Sequence, residues 1–306
     1  MIMRYEYLSK HPRVFRSMTG LAVSEFDELV IDVEPFYETT EQERLTRLDR
    51  IRASGGGHPF ELDYRDSLLL TTIWLRQYPT GEVLGYFFDV SEPTARRTVK
   101  RMLPALEAAG RATFRWPNQK QGRDLPEILE DCPELAVVID TFEQRVRRPK
   151  DKEKADDHYS GKKKQITRKT QVCVGWDGHI CHASESVPGP TADITLLKDT
   201  GVLNELPDDI GAWGDSAYQG IRDLHPQGLG AHPRKKPHGK PRPPEDKAYN
   251  TALSRERVIV EHRIGHIRHF QSTQQMYRHD LDSHSPTVVA VVGLVNRRRE
   301  WRAVMA

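Results

Sequence analysis

Three acidic residues at wide, uneven spacing are the residues of this sequence best suited to chemistry. Asp140 closes an apolar run, Asp215 lies in a Gly-Asp-Ser-Ala-Tyr segment, and Glu261 lies in a long helical pattern. An acid at the end of a buried strand carries a large desolvation cost unless a cation or a proton offsets it. If the fold brings the three carboxylates together, they form a divalent metal site. The Lys and Arg clusters that flank all three indicate a polyanionic substrate.

The donor chemistry of such a site favours magnesium. Carboxylate oxygens are ligands that Mg²⁺ prefers, and the ion also keeps waters and binds phosphate oxygens of a substrate. Two such ions about 3.5–4 Å apart activate an attacking oxygen and stabilise the leaving oxygen of a phosphodiester. We therefore expect Mg²⁺ as the cofactor, with Mn²⁺ able to replace it. Spacing alone is weak support, because a chain with 44 acidic residues offers many triples.

A zinc site is a second metal hypothesis, because Cys173, His179, Cys181 and His182 lie close together in the sequence. If an Asp-Gly pair between them forms a hairpin turn, Cys173 lies opposite His182. His179 and Cys181 then point to the other face of the sheet. One tetrahedral site cannot collect all four side chains in that arrangement, so we do not expect zinc.

Composition bounds the class of protein. With 306 residues, 37% of them hydrophobic, the chain can bury a full core and is long enough for two domains. Its 46 basic and 44 acidic residues nearly cancel, so nucleic-acid binding must come from local charge clusters. Three cysteines without a Cys-x-x-Cys pair favour a reducing compartment. With no signal peptide and no apolar stretch of membrane-spanning length, we expect a soluble cytoplasmic protein without a membrane partner.

Helices are expected throughout residues 1–110. Ser24 is the predicted cap of one helix, and residues 41–51 carry apolar side chains at three-residue steps, which predicts another. A triple glycine at 55–57 interrupts the pattern. It lacks the Gly-Lys-Ser/Thr continuation of a phosphate-binding loop, so we interpret it as a hinge.

Residues 63–108 match the helix-turn-helix pattern. Asp63 is the expected cap of the first of three helices, and the third begins with Ser91 as its cap and Pro93 in its first turn. One face of the third helix is apolar and the other is basic. In a helix-turn-helix such a helix enters a DNA groove and its cations contact phosphates. A helical bundle with a solvated basic face is the open alternative. The candidate DNA contacts are Arg96, Arg97, Lys100 and Arg101.

The second half of the sequence changes to strands after a linker at 111–130. The apolar run at 135–139 predicts a central strand covered on both faces. A hairpin turns at Asp177-Gly178, and a further strand is expected at 210–213. Helices are expected at 191–203, 245–270 and 285–301.

This order of elements predicts an α/β domain over residues 131–306, a mixed sheet flanked by helices. Asp140 and Asp215 then end neighbouring parallel strands at one edge of the sheet, and the helix that carries Glu261 can pack beside them. The sequence separation of the three acids is no obstacle in such a fold.

A basic segment follows the first acid of the site. Residues 143–170 hold eleven basic and five acidic residues, among them Lys162, Lys163 and Lys164. Beside a phosphodiester site we expect these three lysines to bind backbone phosphates. Glu143 has two interpretations, a further metal-site acid or a partner of a neighbouring arginine, and the second is favoured.

The motifs around the three acids carry a resemblance to a known family. They are Asp140-Thr141-Phe142-Glu143 with Arg147-Arg148-Pro149, Tyr159-Ser160-Gly161-Lys162-Lys163-Lys164, Gly214-Asp215-Ser216-Ala217-Tyr218-Gln219-Gly220, and Arg257-Val258-Ile259-Val260-Glu261-His262-Arg263-Ile264-Gly265. Together they resemble the DDE transposases of bacterial insertion sequences, most of all the insertion-sequence-five family, which is related to the Harbinger-type elements. The resemblance spans residues 135–302, and residues 64–106 look like the helix-turn-helix of the same family. It implies a ribonuclease-H-like catalytic domain preceded by an all-α helix-turn-helix domain.

The resemblance also implies roles for single residues. Asp140 and Asp215 match the two catalytic, metal-binding aspartates, and Glu261 matches the glutamate. The family's last helix carries the frame Tyr-x-x-Arg-x-x-x-Glu-x-x-x-x-x-x-Lys. Here serine stands in place of the tyrosine and Arg268 in place of the lysine, while Arg257 and the glutamate match. Arg257 and Arg268 are therefore expected to contact DNA phosphates.

The function implied by the resemblance is transposition. The enzyme would bind the terminal inverted repeats of an insertion sequence, hydrolyse the phosphodiester at each end, and join the freed 3′-hydroxyl to a target strand. Its partner is double-stranded DNA, and because two ends are synapsed, we expect a dimer or larger assembly on DNA. Two alternatives stay open. One is a domesticated DNA-binding protein without transposition activity, and the other is a ribonuclease-H-like nuclease.

Overall fold

The computed structural model describes residues 3–48, 60–117, 135–239 and 241–304. The chain divides into two compact units. The helical unit comprises Met1–Thr113 and Ile267–Ala306, and the sheet unit comprises Phe114–His266. The hinge expected at 55–57 lies outside the described residues, as does most of the linker expected at 111–130.

The elements follow one another along the described residues. The α-helices are α1 (Tyr5–Leu8), α2 (Pro12–Thr19), α3 (Val23–Thr46), α4 (Tyr64–Gln77), α5 (Gly81–Phe88), α6 (Glu92–Arg111), α7 (Lys152–Asp157), α8 (Asp193–Thr200), α9 (Ile221–Leu224), α10 (Pro244–Arg268), α11 (Gln271–Gln274) and α12 (His284–Val304). The strands are β1 (Leu135–Arg145), β2 (Tyr159–Ser160), β3 (Gln165–Gly175), β4 (Ile180–Ala183), β5 (Val187–Pro188), β6 (Gly211–Trp213) and β7 (Gly230–Ala231). Short 3₁₀ turns lie at Val202–Asn204, Ser216–Tyr218 and Leu281–Ser283.

The three helices predicted at 63–108 are α4, α5 and α6. Asp63 caps α4 by accepting a hydrogen bond from the Asp66 N–H at 2.7 Å. Ser91 caps α6 in the same way, from the Thr94 N–H at 3.2 Å. Such caps satisfy N–H groups that the first turn of a helix leaves without an intrahelical partner. Both predicted caps are confirmed.

The long helix α3 differs from the prediction at both ends. Ser24 lies inside the helix, and Ala22 precedes it as the cap residue. The Glu25 carboxylate accepts a hydrogen bond from the Ala22 N–H at 2.7 Å, so an acid in the first turn replaces the hydroxyl cap that we expected. The helix predicted from residue 41 is the continuation of α3, which runs through Pro35 without ending.

The C-terminal helix α12 packs within the helical unit. Val288–Val292 is buried, and a Cβ added at Gly293 would overlap the backbone of Gly110 on α6, so glycine permits this close helix contact. The expected division had joined residues 285–301 to the sheet. In the structure they form a compact unit with the N-terminal helices. How the compact units correspond to functional domains stays a prediction.

Within the described residues the strands form one mixed sheet in the order β2-β3-β1-β6-β7, with β4 and β5 also pairing with β3. β1 is antiparallel to β3 and parallel to β6, and β6 is parallel to β7. Apolar side chains of β1, β3 and α8 belong to one buried core cluster. The predicted fold class, a mixed α/β sheet with helices preceded by a helical region, is confirmed.

The hairpin predicted at Asp177-Gly178 joins β3 to β4. Gly178 has a φ of 80°, which suits glycine, and Asp177 accepts a hydrogen bond from the His179 N–H at 2.9 Å. No helix among the described residues is long and apolar enough to cross a membrane.

Candidate active site

Asp140 and Asp215 lie at corresponding positions, Asp140 on β1 and Asp215 just beyond the end of the neighbouring parallel strand β6. The last register pair of β1 and β6 joins Val138 to Trp213, and each aspartate lies two residues beyond that pair. β1 itself does not end at Asp140, because β3 continues to pair with it as far as Arg145. The prediction that Asp140 ends its strand is therefore wrong, but the expected common edge is present, since β6 has ended there.

Local hydrogen bonds orient both aspartate side chains. Asp140 Oδ1 accepts from the Thr141 N–H at 2.7 Å, and Asp215 Oδ1 accepts from the Ala217 N–H at 2.8 Å, which caps the 3₁₀ turn after β6. In each case the second carboxylate oxygen, Oδ2, contacts a cation on α10. The backbone thus fixes one oxygen of each acid and leaves the other for the site.

That cation is Arg257, and it contacts all three acids. Its Nη1 lies 3.7 Å from Oδ2 of Asp140 and 3.7 Å from Oδ2 of Asp215. Its Nη2 donates a hydrogen bond to Oε1 of Glu261 at 2.8 Å, one helical turn further along α10. The structure therefore brings Asp140, Asp215 and Glu261 together around one guanidinium group.

The three acids differ in exposure. The side chain of Asp140 is 18% exposed and that of Glu261 is 53% exposed. Burial raises the pKa of the Asp140 carboxyl from 3.8 to about 6. The Thr141 N–H and the Arg257 guanidinium oppose this rise, and the charges of Asp215 and Asp193 add to it. Asp140 is thus the acid whose charged form most needs a nearby cation.

The residues at this edge fit a divalent metal ion. Three carboxylates supply oxygen donors, which suit Mg²⁺ and Mn²⁺ better than softer ions. The Arg257 guanidinium shows that positive charge is favoured among them. In the arrangement of side chains described for residues 3–48, 60–117, 135–239 and 241–304, no cluster of three or more His, Cys, Asp or Glu residues forms a ready metal site.

A fourth acid near the site, Asp193 at the start of α8, was not predicted. It accepts hydrogen bonds from the Thr141 hydroxyl at 3.0 Å and from Lys169 Nζ at 2.7 Å. The Lys169 side chain is 9% exposed and also donates to the Thr191 carbonyl at 2.6 Å. The nearly buried ion pair with Lys169 neutralises Asp193, and the hydrogen bond from Thr141 ties α8 to the residue that follows Asp140.

The same pair shows that one cation of the basic segment 143–170, Lys169, is not available to phosphates. Lys169 is buried because this part of β3 is covered on both faces, and every residue from Lys169 to Gly175 is buried. The number of charges in the segment does not reveal this burial.

Tyr218 is a further residue near the acids with no predicted role. Its hydroxyl is buried without a hydrogen-bond partner among the described residues. Burial, reinforced by the charges of Asp193 and Asp140, raises its pKa well above 10, so the phenol stays neutral. A Cβ added at Gly214 would overlap the Tyr218 ring, which explains the glycine before Asp215.

The two cysteines considered as zinc ligands lie differently from the prediction. Cys173 pairs with His182, as predicted, but the register shifts so that Val174 pairs with Ile180. This β-bulge leaves Cys181 unpaired and turns it into the same apolar cluster as Cys173. The predicted opposite orientation of the two thiols is therefore wrong. Burial raises the pKa of Cys181 to about 12, which keeps that thiol protonated.

The candidate DNA contacts of α6 have different surroundings. Arg97 and Lys100 are exposed and line an open cleft of about 740 Å³ together with Arg44 of α3. Arg96 is exposed and forms an ion pair with Glu92 at 2.8 Å. Arg101 is half-buried and lies 3.6 Å above the ring of Phe60. Three of the four cations, Arg96, Arg97 and Lys100, are therefore exposed.

The other predicted DNA contacts also differ in their exposure. Lys162, Lys163 and Lys164 are exposed in the turn between β2 and β3. Arg268, at the last residue of α10, is half-buried and belongs to the helical unit. Glu143 accepts a hydrogen bond from the Thr167 hydroxyl at 2.7 Å, so its partner is a threonine and not the arginine that we favoured.

Comparison with known proteins gives a relative and two family models that match parts of the chain. The chain is 28% identical over 267 residues, 87% of each chain, to a protein of Microchaete diplosiphon named "Probable transposase for insertion sequence element IS702". No solved structure gives a significant match. Residues 60–112 match the helix-turn-helix of DDE superfamily endonuclease.

The family model described as DDE superfamily endonuclease matches residues 139–296, more than half of the chain, and this stretch contains all three acids. The resemblance inferred from the motifs is thereby confirmed. The chain belongs to the DDE superfamily endonucleases and carries the helix-turn-helix of that superfamily ahead of its endonuclease domain.

Proposed function

We propose that this protein is the transposase of an insertion sequence, which binds the terminal inverted repeats of its element and catalyses cleavage and strand transfer. The observation that carries the proposal is the meeting of Asp140, Asp215 and Glu261 around one guanidinium, in a chain that belongs to the DDE superfamily. Scattered acids would have no reason to share a single cation at a sheet edge.

The three carboxylates are the proposed ligands of the divalent cofactor, with Mg²⁺ as the natural ion and Mn²⁺ as its substitute. When bound, the metal supplies activation of the attacking oxygen and stabilisation of the leaving oxygen. Asp140 and Asp215 hold their carboxylates in place through backbone N–H groups. Glu261, more exposed on α10, closes the third side of the site.

DNA binding is assigned to two basic surfaces. Arg97 and Lys100 on α6, with Arg96, form the helix-turn-helix surface that we propose for the terminal repeats. The exposed lysines at 162–164 form a second surface, which we propose for backbone phosphates near the cleaved bond. Phosphate contacts of this kind position DNA without reading its sequence.

The reaction places further demands on the protein. Two transposon ends must be held together during strand transfer, so we propose a dimer or larger assembly on DNA, working in the cytoplasm at the nucleoid. Mass measurement of the complex with a DNA fragment carrying one end tests this. One protein chain per paired complex would contradict it.

A cleavage and joining assay tests the function. Supercoiled plasmid carrying candidate ends, taken from the DNA that flanks the gene, is incubated with the protein and Mg²⁺ or Mn²⁺. Joined products support a transposase, nicks alone support a nuclease, and binding without cleavage supports a domesticated DNA-binding protein. A plasmid without the ends is the DNA control.

Two matched variants complete the assay. Asp140→Asn is expected to abolish cleavage and joining while DNA binding persists. Asp199→Asn removes the same charge from an exposed position on α8 outside the site and is expected to react like the wild type. Cleavage by the Asp140 variant at the wild-type rate would refute the assignment of the site.

A further inference from the structure

Arg257 is the cation that links the acids of the site. Its guanidinium contacts Asp140, Asp215 and Glu261, and among the described residues no other lysine, arginine or histidine forms an ion pair with these three acids. The neighbouring acid Asp193 has its own cation, Lys169. Three carboxylates thus share one positive charge.

The three contacts of Arg257 differ in length. The contact to Glu261 is a hydrogen bond of 2.8 Å along the helix, whereas those to the two aspartates are 3.7 Å long, beyond hydrogen-bond distance. Ionic attraction without a hydrogen bond is weaker and is easily replaced by a stronger cation. The link between α10 and the strand edge is therefore the part most open to exchange.

A divalent ion at the site would need the same carboxylate oxygens. Oδ2 of Asp140 and Oδ2 of Asp215 are the oxygens that are not held by backbone N–H groups, and both face Nη1 of Arg257. A metal ion held by these two oxygens would take the position that the guanidinium now has between the aspartates. Both cations cannot occupy that position.

We propose that Arg257 is a built-in counter-cation that holds the three carboxylates together and competes with the divalent metal for them. Metal binding displaces the guanidinium from the aspartates. The displaced group, a planar fork that suits phosphate as well as carboxylate, is then free to bind a DNA phosphate beside the metal. This inference rests on the proposed function, because it takes the three acids as the metal ligands.

The proposal predicts opposite effects of one substitution on two quantities. Arg257→Gln removes the competing charge, so Mn²⁺ binds roughly five- to tenfold more tightly, which corresponds to the loss of one or two ion pairs of ordinary strength. In EDTA the same variant melts at a lower temperature than the wild type, because three carboxylates then repel one another without a cation. A purely structural role of Arg257 predicts weaker Mn²⁺ binding together with lower stability.

The measurements need no DNA and no activity. Mn²⁺ affinity is measured by titration calorimetry and, independently, by the paramagnetic resonance signal of free Mn²⁺. Arg255→Gln is the matched control, since it removes the same charge from an exposed position two residues earlier on α10. The control is expected to leave both Mn²⁺ affinity and the melting temperature in EDTA unchanged. Equal or weaker Mn²⁺ binding by Arg257→Gln would overturn the proposal.

Two further variants separate the possible failures. If Arg257→Gln does not fold, Arg257→Met carries the test, because methionine keeps an unbranched apolar stem but no charge, and its Mn²⁺ affinity should still exceed that of the wild type. Asp140→Asn should abolish Mn²⁺ binding. If it does so while the Arg257 variants bind like the wild type, only the counter-cation proposal fails. If Asp140→Asn leaves Mn²⁺ binding intact, the metal site fails and this proposal fails with it.

Discussion

Replacing Asp140 by asparagine should make the protein more stable at alkaline pH, although it is expected to destroy activity. Burial raises the pKa of this carboxyl from 3.8 to about 6, so the folded state binds its proton more tightly than the unfolded state. The stability that this contributes is fully present below pH 3.8 and is lost as the pH rises through 6. Above pH 7 the folded protein therefore carries the full penalty of a poorly solvated charge.

The size of the effect follows from the shift of about two pKa units, which corresponds to about 3 kcal/mol. This figure is the upper bound of the increase in the free energy of unfolding that we expect for Asp140→Asn at pH 8. Asparagine keeps a carbonyl oxygen that can accept the hydrogen bond from the Thr141 N–H. The attraction of Arg257 already counts toward the shift, so it needs no separate correction.

Urea unfolding in EDTA at pH 4, 5, 6, 7 and 8 measures the difference between the two proteins. Because the chain has two compact units, native-state hydrogen exchange on peptides of β1 and β6 reports the sheet unit separately. The stability gain of the variant should be close to zero near pH 4 and largest at pH 8. A variant that is less stable at pH 8, or a difference that does not change with pH, would refute the reasoning.

The control substitution, Asp193→Asn, is expected to lower the free energy of unfolding. Asp193→Asn removes a carboxylate whose partner, Lys169, is nearly buried, so it leaves an unpaired ammonium group in the protein. Breaking a buried ion pair from one side costs about 3–5 kcal/mol. The same chemical change at two neighbouring acids should therefore stabilise in one case and destabilise in the other.

Three further predictions concern other parts of the sheet unit. Lys169→Met should lower the free energy of unfolding by about 3–5 kcal/mol, because Asp193 then keeps a nearly buried charge without its cation. If urea unfolding shows that the free energy of unfolding falls by less than about 1 kcal/mol, the buried ion pair is contradicted. Gly214→Ala should destabilise the protein by about 1–3 kcal/mol, because the added Cβ overlaps the Tyr218 ring. It should also weaken Mn²⁺ binding by moving the adjacent aspartate. An unchanged melting temperature together with an unchanged Mn²⁺ affinity would refute the close contact. Replacing the three lysines at 162–164 together by glutamine should make DNA affinity less dependent on salt. The slope of log K against the logarithm of the salt concentration should fall by up to about 3, while Mn²⁺ affinity stays the same. An unchanged slope would exclude this surface from DNA binding.

The parts of the fold that the sequence predicts well are those with strong local signals. Asp63 and Ser91 are caps whose side chains have one obvious backbone partner, and both act as expected. The Asp-Gly pair forces a tight turn because glycine tolerates positive φ. The apolar runs before Asp140 and Asp215 predict two buried strands, and these are neighbours in the sheet.

Features that depend on contacts between distant segments could not be predicted. The spacing of Arg257 and Glu261 indicates a pair on one helix face, but nothing local indicates that the same arginine also meets two aspartates at a strand edge. The Lys169–Asp193 pair joins residues 24 positions apart. The β-bulge at Cys181 likewise turns this side chain to the face of the sheet opposite to the one that strict alternation predicts.

The central claim, that Asp140, Asp215 and Glu261 bind a divalent metal, is tested most directly by anomalous diffraction at the manganese absorption edge from crystals soaked in Mn²⁺. An anomalous peak about 2–2.5 Å from Oδ2 of both aspartates, with the Arg257 guanidinium moved away from them, is the expected result. A map in which manganese binds elsewhere, while the guanidinium still bridges all three carboxylates at saturating Mn²⁺, would contradict the claim.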